Sequence, residues 1–332
     1  MVLANGKIIN LMKSKIIPII GDASFRRFYR FKSGKISKII VIAKKEKYKN
    51  LIAYSQINKF LRDNKILAPK LYEHNFSKGF IVIEDFGDLS FHRVLVNRKN
   101  KFTVYRKLVN FLIKIQKIKP KSKLNGIINK PYKLDKYSSR YLHLESDLFF
   151  DWYLPLFFKK KKIKKIKVKA KKILSKLYNK INFSNSCFVH RDYHIQNLMK
   201  INGNVGIIDS QDALIGNPAY DLASIVDDVR LKTSNKLKKE IYKYYLRKTK
   251  KKYRINSKEF SEDFNILSVQ RNLKIIGIFS RLFKRDKKNI YLKLIPYAWK
   301  LIEERMDSKI FSDLKNILDE NISKKIRKKI II

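Results

Sequence analysis

Apolar and polar positions follow different rhythms on either side of residue 88. Before it, Phe25-Arg-Arg-Phe-Tyr-Arg-Phe31 is aromatic-rich and Ile36-Ser-Lys-Ile-Ile-Val-Ile-Ala43 is β-branched, with Lys32-Ser-Gly-Lys35 between them. That pattern predicts two short strands joined by a turn. Residues 48–64 place Leu51, Ile52, Ile57, Phe60 and Leu61 at helical spacing, and strands are expected around 70–74 and 80–84. The last of these ends in Glu84-Asp-Phe-Gly-Asp88, a segment with hinge character. Beyond it the spacing is helical, except between Cys187 and Pro218, where short β-rich pieces carry most of the unusual polar residues. The expected architecture is α+β, with a small β-containing lobe over 1–87 and a larger, mainly helical lobe over 88–332.

Composition adds a charge to interpret. Lys and Arg number 77 against 28 Asp and Glu, a formal net charge of +49. Charge alone points to nucleic acid or an anionic membrane surface. The excess is mostly lysine, however, and accompanies abundant Ile, Asn, Tyr and Phe, as an AT-rich genome would produce. Both readings stand, so charge does not assign the function. Residues 159–172 hold ten lysines in fourteen positions, with Ile163, Ile166 and Ala170 three or four apart. A helix with one thin apolar stripe and a solvated basic face is expected, a polyanion site being the alternative.

One cysteine, Cys187, excludes an intramolecular disulfide framework and the Cys-rich zinc modules. Residues 1–20 lack the apolar stretch and cleavage site of a signal peptide, and no run approaches the roughly 20 apolar residues of a membrane span. A cytoplasmic location is expected.

The chemistry is concentrated in Cys187-Phe-Val-His190-Arg191-Asp192-Tyr-His194-Ile-Gln-Asn197, followed by Val205-Gly-Ile-Ile-Asp209. His-Arg-Asp-x-x-x-x-Asn is the catalytic-loop pattern of kinase-fold phosphotransferases. Phosphoryl transfer to a hydroxyl needs a carboxylate to orient the nucleophile and take its proton, and oxygen ligands for the Mg²⁺ that accompanies ATP. Asp192 is the expected base, and Asn197 and Asp209 are the expected metal ligands. His190 is expected to support the loop. His190 and His194 have the spacing of a zinc pair, but the Glu of His-Glu-x-x-His is missing. Only eleven residues separate Asp209 from Asp221, and no Ala-Pro-Glu follows. A peptide-docking segment does not fit there, so a small-molecule acceptor is expected.

His190-x-Asp192-x-x-x-x-Asn197, Ile207-Ile-Asp209 and Gly216-Asn-Pro-x-Tyr-Asp-Leu-Ala223 together resemble the aminoglycoside phosphotransferase/choline kinase superfamily. Within it the chain is most similar to the bacterial cell-wall sugar kinases, the anomeric N-acetylmuramate/N-acetylglucosamine kinase group. Residues 21–30, 83–87, 145–154 and 270–282 also resemble that group, and the likeness extends over roughly residues 20–300. The resemblance implies a bilobal protein-kinase-like fold, ATP with Mg²⁺, and transfer of the γ-phosphate to the anomeric hydroxyl of an N-acetylated amino sugar in peptidoglycan recycling. It implies that Asp221 braces the catalytic loop, that Glu84, Asp85 and Phe86 offer backbone groups to adenine, and that Gly21, Asp22, Ala23 and Ser24 cover the phosphates.

The chain departs from kinase patterns in three places. No Gly-x-Gly-x-x-Gly loop is present. Val41-Ile-Ala-Lys44 imitates the strand-borne lysine of protein kinases, which makes Lys44 a nucleotide-anchoring candidate in a chain where lysine is common. Ser210 stands where the superfamily often has an apolar residue. For the acceptor, the candidates are Trp152 (stacking on a sugar, with helix core as the alternative), Asp147 and Asp151 (hydroxyl binding), Asp212 (orientation), and Arg271 and Arg281 (phosphate or a carboxylate). No specific nucleic-acid partner and no membrane span are expected. Two alternatives remain open: a kinase of another small alcohol, such as choline or an aminoglycoside, and a basic surface-binding protein with a decayed kinase site.

Overall fold

The computed structural model describes residues 14–19, 26–44, 48–129, 131–253 and 256–330. The chain begins with β1 (Ser14–Ile19), β2 (Arg27–Ser33), β3 (Ile36–Ile42), α1 (Tyr48–Asp63), β4 (Leu71–Asn75) and β5 (Phe80–Glu84). Then come α2 (Phe91–Val96), α3 (Lys101–Gln116), β6 (Lys123–Leu124), β7 (Tyr132–Lys133), α4 (Ser139–Leu148) and α5 (Lys160–Asn179). Four short strands follow: β8 (Cys187–Val189), β9 (Leu198–Ile201), β10 (Asn204–Ile207) and β11 (Leu214–Gly216). The chain continues through α6 (Ala219–Val226), α7 (Asn235–Tyr253), α8 (Ser257–Asp286), α9 (Ile295–Arg305), α10 (Ser312–Asn321) and α11 (Lys324–Lys328).

Two compact units result. The first comprises the described residues up to Leu89, together with Lys123–Lys133 and Met199–Asp212; the second comprises Ser90–Ser122, Leu134–Leu198 and the described residues from Ala213. The first unit is built on a five-stranded antiparallel sheet in the order β1-β2-β3-β5-β4. Alternation along β3 turns Ile39 and Val41 inward, where they meet Leu51, Tyr54, Ile81 and Ile83. Helix α1 buries Leu51, Ile57, Phe60 and Leu61, while Ile52 is half-buried. A two-residue turn joins β2 to β3, with Gly34 at φ +56°.

β1 was not foreseen from the residue pattern. It forms the sheet edge opposite β4, where Pro18, which has no N–H to donate, is tolerated. The expected first strand begins at Arg27; Phe25 lies outside the described residues.

The second unit is organised by α8, thirty residues long, which packs against α4, α6 and α9. The approach to α4 is at backbone distance: a Cβ on Gly277 would lie 2.3 Å from the Leu148 carbonyl carbon. α4 does not continue as a regular helix. It widens into a π-helical turn at Phe149–Tyr153 and tightens at Leu154–Leu156. The turn buries Phe149, Phe150 and Tyr153, and the Trp299 indole N–H donates to the Tyr153 hydroxyl at 3.0 Å. The lysine-rich segment forms α5, whose stripe of Ile166, Ala170, Leu174 and Leu177 is buried under a solvated basic face. Among the described residues no helix is long and apolar enough to cross a membrane.

Candidate active site

The catalytic-loop string follows β8, which pairs antiparallel with β11. Gly216 permits that pairing, because a Cβ there would lie 2.8 Å from Val189 Cγ2. Asn217 then accepts the Ala219 N–H at 2.8 Å and donates to Asp263 at 2.7 Å, fixing the entry to α6. From the first turn of α6, Asp221 accepts the backbone N–H of His190 at 2.7 Å and that of Arg191 at 3.0 Å. Burial pushes the Asp221 carboxyl up to about 7, against the two N–H donors that favour its charge, while nearby Asp192 raises it further. The Tyr193 hydroxyl donates to the Leu108 carbonyl at 2.7 Å, and Asp228 accepts the Ile195 N–H at 3.1 Å. The loop is therefore held from α6, from α3 and from the segment that follows α6. Arg191 stands at φ +72°, a conformation that costs a non-glycine residue about 1–2 kcal/mol and persists only under such restraint.

Asp192 lies at the edge of a cation cluster. Burial raises its pKa, but Lys274, Arg191, His190 and Arg271 together pull the carboxyl below the ordinary value, so it is ionised at neutral pH. With Arg230, Arg271, Lys274, Ile278 and Phe279 it lines a small cavity in the second unit. Glu145 on α4 balances part of the cluster. It pairs with the Arg191 guanidinium, with Lys274 Nζ at 3.0 Å, and accepts from Gln270 at 2.9 Å and from the Tyr137 hydroxyl. Burial would raise Glu145, yet Lys274 and Arg191 lower it to about 2.

Asn197 is oriented by its neighbours. Its amide nitrogen lies 3.1 Å from the Asp192 carbonyl, to which it donates, and 3.3 Å from His194 Nε2. Burial, then Arg230, Arg271 and His190, hold His194 well below the usual histidine range. The imidazole is therefore neutral, and Nε2 can accept. Both donors of the Asn197 amide are used in this way, which leaves Oδ1 as the ligand-capable atom.

In the first unit, the β9–β10 hairpin turns at Asn202-Gly203, both at positive φ, and leads to Asp209 at φ +66°. Arg26 Nη2 meets Asp209 Oδ1 at 2.6 Å, and Arg26 Nη1 donates to Gln211 at 3.1 Å. The Asp209 side chain remains 37% exposed beside an arginine exposed by 6%. Ser210 is buried, its hydroxyl donating to Asn58 on α1 at 2.6 Å, which accounts for a polar residue at that position. Phe86 packs on the same hairpin: a Cβ on Gly206 would lie 2.9 Å from its ring.

A family model described as "Phosphotransferase enzyme family" matches residues 15–255. The chain belongs to the phosphotransferase enzyme family. A protein of Pseudomonas aeruginosa named N-acetylmuramate/N-acetylglucosamine kinase is 27% identical over 293 residues, covering 87% of this chain and 83% of that protein. One of Neisseria meningitidis serogroup B with the same name is 25% identical, covering 83% and 80%. Among solved structures, the fold is similar to a Plasmodium vivax ethanolamine kinase (TM-score 0.60, 12% identity, 91% of this chain and 85% of that one). It is also similar to an ADP-bound aminoglycoside phosphotransferase (TM-score 0.57, 11% identity, 90% and 93%). The protein-kinase-like fold and the superfamily resemblance read from the motifs are both borne out.

Apart from Arg271, the other candidates of this phosphotransferase are not among the residues that line the cavity around Asp192. Asp147 pairs with Lys171 at 2.8 Å and Asp151 with Lys167 at 2.6 Å, both partners on α5. Trp152 is half-buried in the π-helical turn. Arg281, also on α8, is not among the residues lining the cavity, whereas Arg271 is. Asp212 is exposed and accepts from Gln211 at 3.1 Å. In the segment expected as a hinge, Glu84 accepts from the Lys70 N–H at 3.0 Å; Asp85 accepts from Ser37 at 2.5 Å and pairs with Arg30 at 2.6 Å. Lys44 is exposed, two residues beyond β3. Gly21, Asp22, Ala23 and Ser24 lie outside the described residues. Residue reading passed over Arg26, Glu145, Arg230 and Lys274, and weighed His194 only as half of a zinc-spaced pair. Lys274 carried a usable signal, lying three positions from Arg271 on the same face of α8.

Mg²⁺ is implied by the family, and each expected ligand, taken by itself in its own unit, has suitable chemistry. Asn197 offers an amide oxygen and Asp209 a partly solvated carboxylate, both hard ligands of the kind Mg²⁺ selects.

Proposed function

We propose that this phosphotransferase uses ATP and Mg²⁺ to phosphorylate the anomeric hydroxyl of N-acetylmuramate or N-acetylglucosamine, yielding a sugar 1-phosphate for peptidoglycan recycling. The observation that carries the acceptor class is the cavity at Asp192, whose other charged lining groups, Arg230, Arg271 and Lys274, are all cations. Glu145 and Asp228 balance Lys274 and Arg230 in part, but Arg271 has no ion-pair partner within 4 Å among the described residues, so the lining favours a neutral or acidic sugar over a cationic acceptor such as choline, ethanolamine or an aminoglycoside. The names and coverage of the curated relatives support the same choice.

In this reading Asp192 accepts the hydroxyl's hydrogen bond and aims its oxygen. The oxygen bonds to the γ-phosphorus as the bond to ADP breaks, and the hydroxyl proton passes to Asp192. A carboxylate held below its ordinary pKa is a weak base, which suits a loose phosphoryl-transfer transition state where the proton leaves late. Asn197 Oδ1 and Asp209 would hold the Mg²⁺, whose charge offsets that of the phosphates. Gly21 to Ser24 would cover the phosphates, Lys44 would approach them, and the backbone of Glu84 to Phe86 would meet adenine.

ADP release is measured with each sugar, with choline and with an aminoglycoside, and the phosphorylated position is read by ³¹P NMR. Wild type should act on the sugars at the anomeric oxygen and Asp192→Ala should not. Preference for a cationic acceptor, or full activity of Asp192→Ala, would refute the reading.

A further inference from the structure

Arg271, Lys274, Ile275 and Ile278 recur at i, i+3, i+4 and i+7, so one face of α8 supplies most of the wall of the Asp192 cavity. Two of the three cations there have local counter-charges. Lys274 lies 3.0 Å from Glu145; Arg230 lies 3.6 Å from Asp228 and donates to Gln196 at 2.6 Å. Arg271 is different. It is 2% exposed, and its Nη1 has no hydrogen-bond partner among the described residues. A buried guanidinium with an idle donor is costly, and a ligand oxyanion would offset the cost.

Size and lining narrow the ligand. The water-accessible volume is about 40 Å³. One water needs roughly 10–15 Å³, so the space suits a carboxylate on a short arm. Ile275, Ile278 and Phe279 form an apolar side, which suits the carbon atoms of such an arm better than a bare phosphate.

We propose that Arg271, assisted by Arg230 and Lys274, forms a carboxylate subsite that reads an acidic arm on the acceptor and favours acidic over neutral amino sugars. The proposal rests on the sugar-kinase reading above and adds the group that discriminates between its two sugars. The same oxyanion chemistry would serve a nucleotide phosphate, and the experiment separates the two sources.

N-acetylmuramate and its neutral methyl ester are titrated by calorimetry into the full chain with Mg²⁺ and ADP, using wild type, Arg271→Gln and Arg271→Lys. Wild type should bind the acid about 10- to 100-fold more tightly than the ester, the range for a hydrogen bond to a charged group. Arg271→Gln should erase that difference and Arg271→Lys should restore part of it. The ratio of kcat/KM for N-acetylmuramate over N-acetylglucosamine should fall in parallel. Equal binding of acid and ester by wild type, with both sugars still phosphorylated, overturns the subsite alone and needs no variant. Loss of ADP affinity in Arg271→Gln, with acid and ester affected alike, assigns the arginine to the nucleotide and also overturns it. Transfer to neither sugar overturns the parent reading and the subsite with it.

Discussion

Asp192 and Asp209, the two carboxylates most directly tied to the proposed chemistry, are prepared in opposite ways. Asp192 has no ion pair within 4 Å among the described residues, and its charge is maintained by a surrounding field of cations. Asp209 is held by a direct contact, the 2.6 Å pair with Arg26, and remains open to water. The field leaves the oxygens of Asp192 free for a hydroxyl. The contact fixes the Asp209 side chain but occupies one oxygen that a metal would need. Both loops also hold a non-glycine residue in the left-handed region, Arg191 at +72° and Asp209 at +66°. Backbone strain is common to the two regions; the electrostatic strategy is what separates them.

The largest expected effects test that division. Asp192→Asn should lower kcat by at least ~10²-fold while leaving Mg²⁺-ADP affinity within about twofold, because the lost function is orientation and proton acceptance. Asp209→Asn should lower activity comparably through nucleotide binding: affinity for ADP should fall about 10-fold or more with Mg²⁺ present and change little when EDTA removes it. Steady-state kinetics and calorimetry measure both. If the variants showed the same Mg²⁺-dependent loss of ADP affinity, the two carboxylates would share one role.

The field itself has a keystone in Glu145, which pairs with Arg191 and Lys274. Glu145→Gln should destabilise the fold by roughly 3 kcal/mol at pH 7, since it leaves two buried cations without their partner. The sign of the pH dependence follows from the depressed pKa. With Glu145 lowered from 4.5 to about 2, its stabilisation is fully present above about pH 4.5 and is lost as pH falls towards 2. The stability gap between wild type and variant in urea titrations should therefore narrow across that interval. A gap that does not change with pH would mean the cluster is held by packing, and the field account of Asp192 would weaken.

Legibility in the sequence tracks how local the determinant is. Strands β2 to β5, α1 and the lysine-rich α5 follow from periodicities of a few residues, and the catalytic-loop motif is a string of eleven. The counter-charges are not local. Glu145 lies 46 residues from Arg191 in the chain, and Arg26 lies 183 from Asp209. No spacing rule connects such pairs; they become visible only when the chain folds. β1 escaped for another reason, since an edge strand interrupted by Pro18 and flanked by lysines satisfies no alternation rule. Its register depends on β2, beside it in the sheet. Arg271 was legible only in outline: the helix was recognisable, but the idle donor in a cavity was not.

The smallest expected effect gives the finest test of the contact at Asp209. Arg26→Gln removes the guanidinium from a carboxylate that water already reaches, with side-chain exposures of 6% for Arg26 and 37% for Asp209. The stability cost should be only about 1 kcal/mol, well below that of Glu145→Gln, because the freed carboxylate can hydrate. Its effect on Mg²⁺ should have the opposite sign to that of Asp209→Asn. Arg26 and a cation compete for the same oxygen, so removing the arginine should lower the Mg²⁺ concentration needed for half-maximal ADP binding by a few-fold. A higher Mg²⁺ requirement would show instead that Arg26 presents the carboxylate in its ligating orientation and that positioning outweighs competition. In that case direct pairing would prepare Asp209 for its task as the field prepares Asp192, and the contrast between the two regions would be one of means only.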